Sequence, residues 1–189
     1  MGNLPISGLP EITATTSNAE YAVAQGGTTY KIKRANMASG KLFGSFYQEA
    51  TQSGFTINTP YAFSASTVLA NNDISVVDGS KFTVASGGTF NLQFSAQLVK
   101  TQGGSTETIT IWLRVNGNDI PWSSTKISFS NNDSLTVAAW NFVNNLNRGD
   151  YMELMFSITD SNIIVYGEPA TTGPTRPGTP SLIVTVVQI

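Results

Sequence analysis

Twelve Asp and Glu residues carry most of the acid–base and cation-binding capacity of this sequence, because its 189 residues include no histidine and no cysteine. That excludes a Ser-His-Asp triad, a cysteine nucleophile, the usual zinc sites and any disulfide framework. What survives is a pair of converging carboxylates or an all-oxygen cation site. Asp150 and Glu153 stand three apart, which in a strand sends them to opposite faces, so they cannot by themselves form a glycosidase pair. Asp150, after Gly149, reads as a turn residue and Glu153 as a solvated strand residue. Asp73, Asp78, Asp119, Asp133 and Glu168 are scattered among turn residues. Val77-Asp78-Gly79 and Asn131-Asn132-Asp133-Ser134 offer oxygens without the spacing of a calcium loop, and Asn and Asp are ordinary turn residues. Gly87-Gly88 and Gly103-Gly104 read as hairpin turns, since no helix follows to make a phosphate cradle. The expectation is a protein with no catalytic residue, metal or cofactor, and therefore not an enzyme.

The elements that surround these groups are set by composition. Charged residues make up 12% of the chain, about half the roughly 25% of an ordinary soluble domain. Ser, Thr, Asn and Gln together supply 66 of the 189 residues, and they favour strands and turns over helices. A net charge of −2 and a pI near 5.0 argue against nucleic acid, which needs clustered Lys and Arg. No apolar run approaches a membrane span, and Met1 to Ile6 lack the leader of a secreted chain, so cytoplasmic synthesis and no membrane contact are expected. A thiol-free chain suits both reducing and oxidising surroundings.

Alternation of apolar and polar residues dominates from Leu42 onward. Phe90, Leu92, Phe94, Ala96 and Leu98 share one parity; Ile109, Ile111, Leu113 and Val115 share another, ending at a hairpin signal, Asn116-Gly117. Met152, Leu154, Phe156 and Ile158 form a third set. Weaker runs include Phe43 to Ala50, Ile74 to Val77, Lys81 to Val84, Ile120 to Phe129, Ser134 to Val143 and Leu182 to Val187, with one helical turn as the alternative over Asn141 to Leu146. About ten strands divided by turn residues predict an all-β antiparallel jelly-roll sandwich. Residues 1–38 differ: an apolar, proline-bearing stretch precedes a hairpin signal at Gly26-Gly27, giving an N-terminal arm with a small hairpin, and residues 39–189 form the head. Residues 167–180 hold four of the eight prolines and read as a long exposed loop. Trp112, Trp122 and Trp140, with Tyr47, Tyr61, Tyr151 and Tyr166, are candidates for a sugar-binding platform; Trp112 leads, since Thr110 and Arg114 share its parity, with core packing across a second sheet as the equal alternative.

Three segments in order, Gly88-Thr89-Phe90-Asn91-Leu92-Gln93-Phe94, Leu113-Arg114-Val115-Asn116-Gly117 and Leu146-Asn147-Arg148-Gly149-Asp150-Tyr151-Met152-Glu153-Leu154, resemble strands of the jelly-roll heads of the tumour necrosis factor and complement superfamily. The resemblance covers residues 42–189. Phe43-Gly44-Ser45-Phe46-Tyr47, Ala138-Ala139-Trp140-Asn141-Phe142 and Pro174-Thr175-Arg176-Pro177 add a likeness to virion structural proteins of tailed bacteriophages: capsid decorations, head fibres and tail-fibre components. Ile6-Ser7-Gly8-Leu9-Pro10 and the hairpin after it resemble the attachment arms of such proteins, without the fibrous shaft that separates arm from head in long fibres.

The resemblance implies a homotrimer on the outer surface of a virion. Phe43, Phe46, Tyr47, Trp112 and Trp140 are the expected trimer contacts. Leu4, Ile6, Leu9, Ile12, Tyr21, Tyr30 and Ile32 are the expected capsid-binding residues of the arm, whose partner is the major capsid protein or another virion protein. The alternative is a tail-fibre tip that recognises a host surface glycan through head loops, including residues 167–180.

Overall fold

The computed structural model describes residues 20–33, 40–130 and 134–189. The chain divides into two compact units, Met1–Gly40 and Lys41–Ile189. In the first, β1 (Glu20–Gln25) and β2 (Thr28–Lys33) pair antiparallel around a two-residue turn, Gly26-Gly27, with φ of 58° and 78°. Both positions are left-handed, which glycine adopts without strain. The register sets Tyr21 opposite Ile32 and Val23 opposite Tyr30. Tyr30 is exposed. Leu4, Ile6, Leu9 and Ile12 lie outside the described residues.

The second unit contains β3 (Phe43–Gln48), β4 (Tyr61–Ala62), β5 (Thr67–Asn72), β6 (Ile74–Val77), β7 (Lys81–Val84), β8 (Gly88–Lys100), β9 (Glu107–Val115), β10 (Asn118–Asp119), β11 (Thr125–Phe129), β12 (Ser134–Leu146), β13 (Tyr151–Ile158), β14 (Ile163–Val165), β15 (Thr171–Thr172), β16 (Thr175–Arg176) and β17 (Leu182–Gln188). One sheet runs β12-β8-β17-β3-β5, with β14 also on β8. The other runs β10-β9-β13-β7-β6, with β11 on β9 and β4 on β13. From β7 the chain crosses to the other sheet at β8, returns at β9, crosses again at β12, returns at β13 and crosses a last time at β14, in the sheet that β17 also joins. That alternation between two antiparallel sheets makes the domain a jelly roll.

The three strong alternating runs line the core. Phe90, Leu92, Phe94, Ala96 and Leu98 of β8 are buried, as are Ile109, Ile111 and Leu113 of β9 and Met152, Leu154, Phe156 and Ile158 of β13. Phe46, Phe63 and Phe82 fill the space between the sheets, each ring contributing about 1.5–3 kcal/mol relative to exposure. Asn116 and Gly117 form the expected hairpin turn, with φ of 49° and 78°, and Val115 pairs with Asn118 across it. Two expectations change. Gly87-Gly88 and Gly103-Gly104 are not hairpin turns: the first pair leads into β8, which Gly88 opens, and the second follows it, where the chain crosses between sheets. The run Ile120 to Phe129 is not one strand, because Pro121 has no N–H for the ladder and a tight turn separates β10 from β11. Asn141 to Leu146 stay in β12, paired with Gln93 to Gly88.

The stretch 167–180 leaves and rejoins one strand line. Val165 pairs with Leu98 and Leu182 with Ala96. Between them Tyr166 N donates to Gln97 O (2.7 Å) and Gln97 N donates to Ser181 O (3.0 Å). Two residues fifteen apart thus do the ladder work of one. The excursion carries the β15–β16 hairpin and an ion pair, Arg176 Nη2 to Glu168 Oε1 at 2.6 Å. Joining Tyr166 directly to Leu182 is expected to preserve the sandwich, since Tyr166 then supplies both groups to Gln97 while Val165 and Leu182 stay inward. The loss, chiefly the Ser181 hydroxyl bonds to Gln48 O and Ala50 O, is about 1–2 kcal/mol. Circular dichroism during a thermal melt checks it: a non-cooperative melt would show that the excursion holds the strand together.

Candidate subunit interface

Strand parity decides what the β12-β8-β17-β3 sheet presents away from the core. From β3 it presents Phe43, Ser45 and Tyr47; from β17, Ile183, Thr185 and Val187. From β8 come Asn91, Gln93, Ser95, Gln97 and Val99, and from β12 Leu135, Val137, Ala139, Asn141 and Val143. None of these sixteen side chains is charged. The outward face of the other sheet differs, bearing Lys81, Arg114 and Glu153 in adjacent strands.

Registers cross this face in rows. Val143 stands opposite Asn91, Asn91 opposite Val187, and Val187 opposite Phe43. Four residues on, Ala139, Ser95, Ile183 and Tyr47 repeat the pattern. The row between them is polar and partly self-satisfied: Asn141 Nδ2 donates to Asn91 Oδ1 at 3.0 Å, and the Ser45 and Thr185 hydroxyls lie 3.5 Å apart. At the end of the face Thr89 Oγ1 donates to Asn145 Oδ1 at 2.7 Å. Covering charged side chains carries a large desolvation cost, whereas paired amides and hydroxyls lose little. The apolar members remain open to solvent: Leu135 is 59% exposed, Val143 56%, Val137 51%, and Phe43 and Ile183 41% each. Valine and leucine at such exposure on one sheet face form the kind of patch that marks an association surface.

The five expected trimer contacts do not form one patch. Phe43 and Tyr47 lie on the uncharged face. Phe46 does not: three residues from Phe43, it points inward, is fully buried and meets Phe82 at 5.4 Å between ring centroids. Trp112 belongs to β9 of the other sheet, where its Nε1 donates to Asp119 Oδ1 at 2.7 Å. Trp140 takes the inner side of β12, edge-on to Phe94 at 4.6 Å, with an indole N–H that is buried and donates to no acceptor. Sequence reading passed over Ile183, Val187, Val137 and Val143. Their signal was an uncharged outward parity on two separate strands, visible only once β12 and β17 are known to share a sheet.

Four of the carboxylates are tied to neighbouring groups within the head. Asp150 Oδ2 accepts Asn147 N (2.7 Å) and Oδ1 accepts Asn116 Nδ2 (2.9 Å). The Asn147 backbone bond, then the Asn116 bond, hold its carboxyl below the usual range. Glu153, expected to be solvated, is 8% exposed, because Ser80 Oγ donates to it at 2.9 Å in a crowded outward layer. Arg114 Nε binds Asp119 Oδ1 at 2.7 Å; this bond and the one from Trp112 hold Asp119 low, while Arg114 is raised by the same pairing. Asp78 closes the β6–β7 turn against Lys81 at 2.7 Å. Among the described residues no three Asp or Glu gather as cation ligands; Asn131 to Asp133 lie outside them. A cleft of about 680 Å³ lies between the excursion and the end of β3, with Tyr47, Glu49, Thr51, Glu168 and Pro180 in its wall.

No family model matches the chain, and no curated protein matches it. Among solved structures, the globular domain of zebrafish complement 1qA protein is similar at a TM-score of 0.47 and 14% identity, covering 79% of this chain and 97% of that one.

Proposed function

We propose that the chain is a homotrimeric virion structural protein, a capsid decoration or head-fibre protein whose head self-associates through the uncharged sheet face and whose first 38 residues attach it to the particle. The observation that carries self-association is the charge-free face with its open apolar rows. A second copy of the same surface satisfies it, because its polar members are partly paired already and its apolar members need only shape to match. The number three and the virion come from the sequence resemblance. The β1–β2 hairpin belongs to a unit of its own, as an attachment segment requires, and three arms on one head multiply a weak contact by avidity.

One experiment tests both parts. The full chain and a chain lacking residues 1–38 are expected at trimer mass in solution, the former three times 20.1 kDa, with only the former binding particles stripped of this protein. Val143→Lys with Ile183→Lys, which touches no buried residue, is expected to give a folded monomer. A monomeric wild type sinks the oligomer, and particle binding by the truncated chain sinks the arm.

A further inference from the structure

The turn between β10 and β11 holds one residue in an unusual state. Ile120 N donates to Leu113 O at 2.9 Å, and Ser123 N donates back to Ile120 O at 3.3 Å, closing a four-residue turn. Ser123 Oγ donates to Ile120 O at 2.8 Å and accepts from Leu113 N at 3.1 Å. The turn is thus fastened to β9 at both ends. Pro121 takes its second position and Trp122 its third, with φ of 62°. A positive φ there defines a type II turn, whose third position ordinarily takes glycine or asparagine because a Cβ is strained in it. The Trp122 side chain is fully exposed, at 102%, whereas Trp112 and Trp140 are partly covered. A large apolar ring is therefore held in water, on an unfavourable backbone, by a turn that does not move freely.

Its surroundings say what chemistry fits it. Asn118, Asp119, Ser124 and Thr125 are exposed around the turn; of its apolar members besides Trp122, Pro121 is exposed and Ile120 half-buried. An apolar protein pocket is matched by an apolar rim, whereas a ring with one C–H face and a periphery of hydroxyls is matched by an indole among amides, hydroxyls and a carboxylate. Asp119 is already oriented: its Oδ1 takes Trp112 Nε1 and Arg114 Nε, both at 2.7 Å, and its Oδ2 receives no donor among the described residues. Arg114 keeps it ionised, hence an acceptor only. Three residues along a chain span at most about 11 Å, so Trp122 and Asp119 fall within reach of one or two sugar rings.

We propose that the Ile120–Ser123 turn is a saccharide-binding tip, in which the Trp122 indole stacks on the C–H face of a pyranose and Asp119 Oδ2 accepts a hydrogen bond from one of its hydroxyls. The site belongs to the β9 sheet and shares no residue with the uncharged face. It therefore stands whether or not that face joins subunits.

The probe is an array of hexose and N-acetylhexosamine oligosaccharides, read with the full chain and followed by millimolar titration of the strongest binder, monitored by calorimetry so that the Trp122 variants are read on the same scale. Wild type is expected to bind; Trp122→Gly is expected to lose at least tenfold in affinity while its melting temperature stays level or rises, since glycine suits the turn. Trp122→Phe keeps part of the affinity and Asp119→Asn loses part of it. No sugar binding by wild type at millimolar concentration, or equal binding by Trp122→Gly, overturns the proposal; the first outcome leaves a protein partner as the user of the indole.

Discussion

Replacing Phe156 by alanine is expected to remove about 3–5 kcal/mol of stability, a large part of the 5–15 kcal/mol that a domain possesses. Phe156 is fully buried in the middle of β13. Its ring meets Phe63 at 4.4 Å and Phe55 edge-on at 4.8 Å, with Tyr61 at 5.9 Å. These contacts seat residues 50–65, a stretch whose only strand is the two-residue β4. Its backbone bonds to β13 are few, including Asn58 N to Ile158 O and Phe63 N to Leu154 O. Removing the ring opens a cavity and unseats that flap together. Phe43→Ala is the internal control: a ring 41% exposed on the outward face, whose loss in an isolated head costs within about 1 kcal/mol. Urea unfolding of both variants as monomers checks the difference, and a loss below 1 kcal/mol for Phe156→Ala would show that the flap is not held by this ring.

The contrast between Phe156 and Phe43 also shows what a sequence can and cannot say. Period-two alternation identified the inward set of β8, β9 and β13 correctly, because each strand is buried on one face and a slip by one residue would send every apolar side chain into water. The same parity places Phe43 and Phe46 on opposite faces, so the two do not share one contact surface. Trp112 and Tyr47 were a different matter. Each faces outward, but they belong to different sheets, and sheet membership is a long-range fact that alternation does not carry. The turn at Trp122 was hidden by the apolar run Ile120 to Phe129; the available signal was Pro121, which cannot donate to a ladder. Residues 167–180 read as exposed for their prolines, yet that both ends return to Gln97 follows from pairing alone. The arm residues before Glu20 lie beyond what the structure describes.

Lys100 extends the lesson to charge. It falls on the inward parity of β8, two beyond Leu98, and it is fully buried. A buried ammonium needs acceptors around it, and the crossing to β9 provides one: Nζ donates to the Ser105 carbonyl, while its positive charge helps to keep Glu107 ionised, behind the larger effects of the Ser105 and Thr159 hydroxyls. The aliphatic stem lies beside Gly103: a Cβ on that glycine would stand in ordinary contact with Lys100 Cε at 3.5 Å and tightly against Asp160 Oδ2 at 3.2 Å. Two opposed effects therefore decide what a substitution does. Lys100→Ala removes the stem and leaves a cavity, as for other long side chains cut to alanine, and is expected to cost about 2–4 kcal/mol. Lys100→Met keeps the stem, removes the desolvated charge and frees only the carbonyl of Ser105, an exposed residue that water can reach. Replacing a buried charge by an apolar group of similar volume is often neutral or stabilising, so Lys100→Met is expected within about 1 kcal/mol of wild type. Urea unfolding of the two variants side by side separates the contributions. If methionine proves as damaging as alanine, the ammonium and not the stem is what anchors the crossing from β8 to β9.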